Sequence, residues 1–156
     1  MKASIVITNA RAPGRQFVLH AKALPGNPHD GHTLAEAVEA IERLTDYAIQ
    51  RAYVDKGYAN PRRVFISGQR RGVLDVIKRE LQRRSVIEAV IGHMKTDGHL
   101  GRCYLKGREG DAANAVLSAA GYNLRLVLAW LRAFLRLILS ALLGALMPQP
   151  LPKSVC

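Results

Sequence analysis

The chain has 156 residues, enough to bury one core, and 49% of them are apolar, which excludes a disordered polypeptide. Its 23 Lys and Arg against 12 Asp and Glu leave a formal net charge of +11, which favours a polyanionic partner, nucleic acid ahead of an anionic membrane. The cysteines, Cys103 and Cys156, lie far apart in no metal-binding spacing, so they point to neither a disulfide framework nor a zinc site and fit a reducing cytoplasm.

Residues 1–10 carry one Lys and a short β-branched stretch, which is not the pattern of a signal peptide. Within residues 3–9 the run Ser4, Ile5, Val6, Ile7, Thr8 predicts a strand. A turn signal at Arg11, Ala12, Pro13 and Gly14 and a second extended run over residues 16–23 complete a predicted hairpin. A dense loop follows, from Pro25 to Gly31. Thr33 and Glu36 have capping-box spacing, and Leu34, Val38, Ile41, Leu44, Ala48 and Ile49 predict a helix to about Arg51.

Residues 52–54 read as a short strand ending at Asp55, and residues 64–67 as another. Helix dominates from Gly72, with segments over residues 73–83 and 86–96. Glycines 98, 101, 107 and 110 punctuate a loop, Asp111 fits the N-cap of a long helix from Ala112, and Gly121 is a candidate break. The order predicts an α/β or α+β domain whose sheet is covered by helices over residues 1–147, with residues 148–156 as a flexible tail.

The last quarter is strongly apolar over residues 126–131 and 137–147, but Arg132 and Arg136 interrupt it, and a membrane-spanning helix needs about 20 apolar residues. Arg125, Arg132 and Arg136 share one helical face. The expectation is a basic amphipathic helix packed on the core with its arginines in solvent, and a membrane-surface role is the weaker reading.

Two acids stand out. Asp55 ends a short apolar strand before a glycine loop, a place where α/β folds put reactive groups and where a simple turn Asp also sits. Glu88 lies early in a helix; it fits a capping box with Ser85, an exposed face paired with Arg84 or Lys95, or a site acid. Between the two acids the chain is rich in base: Lys56, Arg62, Arg63, Arg70, Arg71, Lys78, Arg79, Arg83 and Arg84, against Asp75 and Glu80. Carboxylates that hold divalent metal among arginines that hold phosphate suit nucleic-acid chemistry, while a solvated helix face explains the same charges more plainly. The histidines show no zinc-ligand spacing, and no Walker-type loop or nucleophile elbow is present.

The stretch from Arg84 through Glu88 to Lys95 keeps an Arg-x3-Glu-x6-Lys spacing that resembles the signature around the last acid of insertion-sequence DDE transposases, although the signature's Tyr position falls on Leu81. The run from Ala52 through Asp55 to Tyr58 resembles the motif of the second Asp, and Pro25 to Leu34 the loop and helix start before it. Cys103 to Gly107, Gly110 to Asn114 and Ala119 to Asn123 resemble the segment after the Glu, so the likeness runs over residues 3–131.

The resemblance implies a ribonuclease H-like mixed sheet with flanking helices, with residues 3–9 and 16–23 as its second and third strands. The first strand and its Asp would lie before Met1. It implies Asp55 and Glu88 as catalytic and metal-binding acids for magnesium or manganese, Arg84 and Lys95 as DNA contacts beside Arg62, Arg63, Arg70 and Arg71, and a substrate of double-stranded DNA at the element's ends and target. Because two carboxylates are a poor cage for two cations about 4 Å apart, the chain is expected to be inactive alone. It would work in a transposase oligomer, with a separately encoded N-terminal half, or as a non-catalytic DNA-binding remnant. The expected location is the cytoplasm, with no membrane partner.

Overall fold

The structure, a computed structural model, describes residues 2–9, 16–26, 30–55, 64–68 and 74–146. β1 (Lys2–Ile7) and β2 (Val18–Leu24) pair antiparallel, the predicted hairpin, with Ala3 opposite Ala23 and Ile5 opposite Ala21. Ile5, Ile7, Ala21 and Ala23 together feed the core, while the register shifts between Val6 and Ile7. The turn signal at residues 11–14 lies outside the described residues.

α1 (Asp30–Thr45) begins before Thr33, so the predicted capping box falls inside the helix, and it stops well short of Arg51. Asp46 adopts a left-handed φ of 53° just past its end, a conformation that Asp tolerates better than most residues and that terminates helices. Ala37 and Ile41 are buried and α1 packs on the hairpin, but Leu44, counted in the predicted apolar face, is exposed.

β3 (Ala52–Val54) and β4 (Val64–Ile66) pair parallel, with Val54 opposite Ile66. α2 (Asp75–Arg83) and α3 (Val86–Thr96) stand where the periodicity placed them. α4 runs 40 residues, Gly107–Leu146, about 60 Å. It starts at Gly107, whose φ of 81° reverses the chain, rather than at Ala112, and it passes Gly121 without a break.

The single ribonuclease H-like mixed sheet is not formed. The described strands make two separate two-stranded sheets, β1–β2 and β3–β4. A continuous mixed sheet needs a strand hydrogen-bonded to both pairs, and no described segment supplies one.

The core gathers Val18 and Ala23 of β2, Val90 and Met94 of α3, Leu100, and Ala115, Ala119 and Tyr122 of α4. Met94 and Val90 are fully enclosed, each worth about 1.5–3 kcal/mol of burial. Polar bonds lock the same elements. Asn123 accepts from the Val18 amide at 2.9 Å and donates to the Val18 carbonyl at 2.8 Å, and the Ser118 hydroxyl donates to the Gly98 carbonyl at 2.6 Å. Beyond Leu126, however, α4 leaves the core: the large apolar residues from Val127 to Leu146 are exposed. The expected packing of this segment on the domain does not occur.

Candidate nucleic-acid interface

Asp55 follows directly on Val54, whose carbonyl accepts from the Ser67 amide at 3.0 Å, so the parallel pair fixes the backbone that presents it. Its carboxylate is exposed and meets the Arg84 guanidinium, Nη2 to Oδ2, at 3.1 Å. Arg84 sits at the junction of α2 and α3. Both Arg84 and Ser85 keep right-handed helical angles, and the Ile87 and Glu88 amides donate three residues back, to the carbonyls of Arg84 and Ser85, so the junction is a tight turn. That turn places Arg84 against the end of β3.

Glu88 is exposed in the first turn of α3. Ser85 makes no side-chain cap and its hydroxyl donates to the Gln82 carbonyl at 2.9 Å, so the capping-box reading of Glu88 is set aside. Lys95 lies seven residues on, nearly the same angular position, and is exposed too. Val90 and Met94 occupy the opposite, buried side of the same helix. The helix thus turns its apolar side to the core and carries Glu88 and Lys95 outward. Among the described residues neither forms an ion pair, so the predicted pairing of Glu88 with Arg84 or Lys95 is not made.

The residue that sequence reasoning missed is Glu80. It is mostly buried and receives both guanidinium arms of Arg51, Nε at 3.0 Å and Nη2 at 3.2 Å, in a bidentate pair. The Tyr53 hydroxyl donates to the same carboxylate, Arg83 lies 3.8 Å away, and the Asn9 side chain donates to the Glu80 backbone carbonyl at 2.9 Å. Burial works to raise the Glu80 carboxyl, but hydrogen bonds from Tyr53 and Arg51 and the charges of Arg51 and Arg83 outweigh it and hold it below its ordinary value. Burial, then the bond to Glu80, pushes the Tyr53 hydroxyl up to about 12. Through Tyr53, two residues before Asp55, Glu80 therefore ties β3 to α2 and steadies the frame on which Arg84 and Asp55 meet. The i, i+3 spacing of Glu80 and Arg83 was a readable local sign; the partners Arg51 and Tyr53 left none.

Arg62, Arg63, Arg70 and Arg71, and Lys56 with them, lie outside the described residues. Of the remaining bases, Lys78 pairs with Asp75 at 3.2 Å, while Arg79 donates to the backbone carbonyl of Asp75 at 3.4 Å. Among the described residues no three His, Cys, Asp or Glu side chains gather as metal ligands.

The arrangement is one acid–base pair, the exposed Asp55 with the mostly buried Arg84, at the start of a helix that carries Glu88 and Lys95 outward. Searches of protein-family models, of curated proteins and of solved structures found no significant match to this chain.

Proposed function

We propose that this chain is a DNA-contacting piece of an insertion-sequence DDE transposase, working in the cytoplasm on double-stranded DNA. The observation that carries the reading is the meeting of Asp55 and Arg84 at 3.1 Å, because two residues singled out from separate motifs share one surface, with Glu88 and Lys95 on the helix that begins there. The net charge of +11 and the ordered motifs support the same reading. Arg84 and Lys95 engage backbone phosphates, beside Arg62, Arg63, Arg70 and Arg71. Asp55 and Glu88 are two of three acids.

Magnesium or manganese would supply an activated water and charge neutralisation at the scissile phosphate once a third carboxylate joined them. Alone, the chain binds DNA and does not cut it; its partner is an N-terminal half or another transposase subunit. The test is fluorescence anisotropy of a labelled duplex across a salt series. Affinity that falls steeply with salt supports the reading, and absent or salt-insensitive binding overturns it.

A further inference from the structure

We propose that the exposed end of α4, residues 124–146, is a membrane-surface anchor that lies in the headgroup region of an anionic bilayer. This inference goes beyond the transposition reading and does not rest on it.

α4 is long and apolar enough to cross a bilayer, and only 6% of its most apolar window is buried inside the structure, so that stretch, unlike the part that holds Ala115, Ala119 and Tyr122, is not core. Its large apolar side chains, Trp130, Leu131, Phe134, Leu135, Ile138 and Leu142 among them, are exposed. At about 100° per residue the exposed large apolar side chains between Leu124 and Leu146, Leu143 apart, fall on an arc about 200° wide. Arg125, Arg132 and Arg136 line up in a stripe along one edge of that arc, outside it, and no Asp or Glu follows Asp111 in the chain.

The breadth of the apolar surface decides the occupant. A partner helix covers a stripe of roughly 100°, and a second copy would leave about half of this arc in water. A lipid surface covers the whole apolar arc at once. The arginine stripe then decides the orientation. Arg132 and Arg136 fall near the middle of a segment rising about 35 Å, so a helix spanning the bilayer would carry both into the hydrocarbon. A helix lying in the plane keeps Arg132 and Arg136 at the phosphates, their aliphatic stems running along the apolar surface, while Arg125, which pairs with Asp97 at 3.8 Å, sits where the helix leaves the domain. Trp130 and Phe134 stack at 5.9 Å one turn apart, and aromatic rings of this kind settle at the boundary between acyl chain and headgroup. The absence of acids and the stripe of three arginines match a surface of anionic lipid, with about one arginine's worth of attraction from each.

The only tryptophan of the chain is Trp130, so its fluorescence reports on this helix alone. The full chain is mixed with vesicles of phosphatidylcholine containing a third phosphatidylglycerol, and with vesicles of phosphatidylcholine alone. The expected result is a blue shift, quenching by lipids brominated on the upper acyl chain, and partition at least about tenfold stronger into the anionic vesicles. Replacing the stripe, Arg125→Gln, Arg132→Gln and Arg136→Gln together, removes that preference. Phe134→Asp with Ile138→Asp abolishes the shift; both residues are exposed, so the core stays intact and circular dichroism checks it. Three results overturn the proposal: no shift with either vesicle; an already blue Trp130 in a lipid-free, self-associated chain that vesicles leave unchanged; or vesicle binding lost on neutralising Lys78, Arg79 and Arg84 instead.

Discussion

The Arg84 guanidinium spans from the α2–α3 junction to the Asp55 carboxylate at the end of β3, 3.1 Å from Nη2 to Oδ2. Because Asp55 is exposed and salt-accessible, the pair adds only about 0–1 kcal/mol to stability. Its consequence is for anion binding: a phosphate must compete with Asp55 for Arg84. Asp55→Asn is therefore expected to tighten metal-free DNA binding, whereas Arg84→Ala weakens it and lowers the salt slope by about one, with little change in Tm. Anisotropy titrations at several salt concentrations read both. An unchanged slope for Arg84→Ala would remove Arg84 from the interface.

Glu80 carries more of the fold than Asp55 does. Glu80→Ala leaves the half-buried Tyr53 hydroxyl and the Arg51 fork without their acceptor, a loss of about 1–3 kcal/mol seen as a lower denaturation midpoint. Its carboxyl is held below the ordinary 4.5, so the folded state binds fewer protons there than the unfolded chain. That stabilisation is complete above 4.5 and is lost as the pH falls below it toward the lower folded value. Tyr53 acts at the other end of the scale: its folded value of about 12 lies above the ordinary 10.0, so stability falls as the pH rises from 10.0 toward 12. Glu80→Gln should flatten the acid limb of a stability–pH curve, and an unaltered acid limb would show that other carboxylates set it.

What could be read from the sequence was local. A β-branched run announces the hairpin and helical patterning announces α3, but not that Val90 and Met94 mark its buried side. Capping residues misled at Thr33, Ser85 and Asp111 because each end is set by other forces: α1 and α4 begin earlier, and Ser85 lies inside a tight helical turn. Asp55, Glu88, Arg84 and Lys95 were named from spacing alone, but the meeting of Asp55 with Arg84 and of Glu80 with Arg51 and Tyr53 joins residues 27–29 positions apart. Sequence periodicity has no term for such pairs. The sheet failed for the same reason: strand pairing is a long-range property, and the resemblance implied a bridging strand that the described residues do not contain.

Two glycines of α4 separate close packing from mere permissiveness. A Cβ on Gly110 would sit 2.7 Å from the Leu105 Cβ and 2.9 Å from its carbonyl oxygen, so Gly110→Ala must push the preceding loop away and should cost about 1–3 kcal/mol. A Cβ on Gly121 meets nothing within 4 Å, and Gly121→Ala should stabilise the helix by up to about 1 kcal/mol. Urea unfolding of the two variants checks the contrast; equal effects would mean that the turn at Gly107 is not packed as described.

The Asn123 side chain joins α4 to β2 by two bonds to a single residue, from the Val18 amide at 2.9 Å and to the Val18 carbonyl at 2.8 Å. Val18 is buried, so water cannot take over both groups when the amide is removed. Asn123→Ala is expected to cost about 2–4 kcal/mol, the sum of two backbone groups left partly unsatisfied. Asn123→Asp keeps the acceptor and loses the donor; it places a carboxylate against the Val18 carbonyl, and it should be no milder than Ala near neutral pH and should recover as the pH falls and the carboxyl becomes protonated. Chemical denaturation of the three proteins at two pH values distinguishes the outcomes. A loss below about 0.5 kcal/mol for Asn123→Ala would mean that the apolar contacts of Tyr122 and Ala119 hold α4 on the hairpin without the clamp.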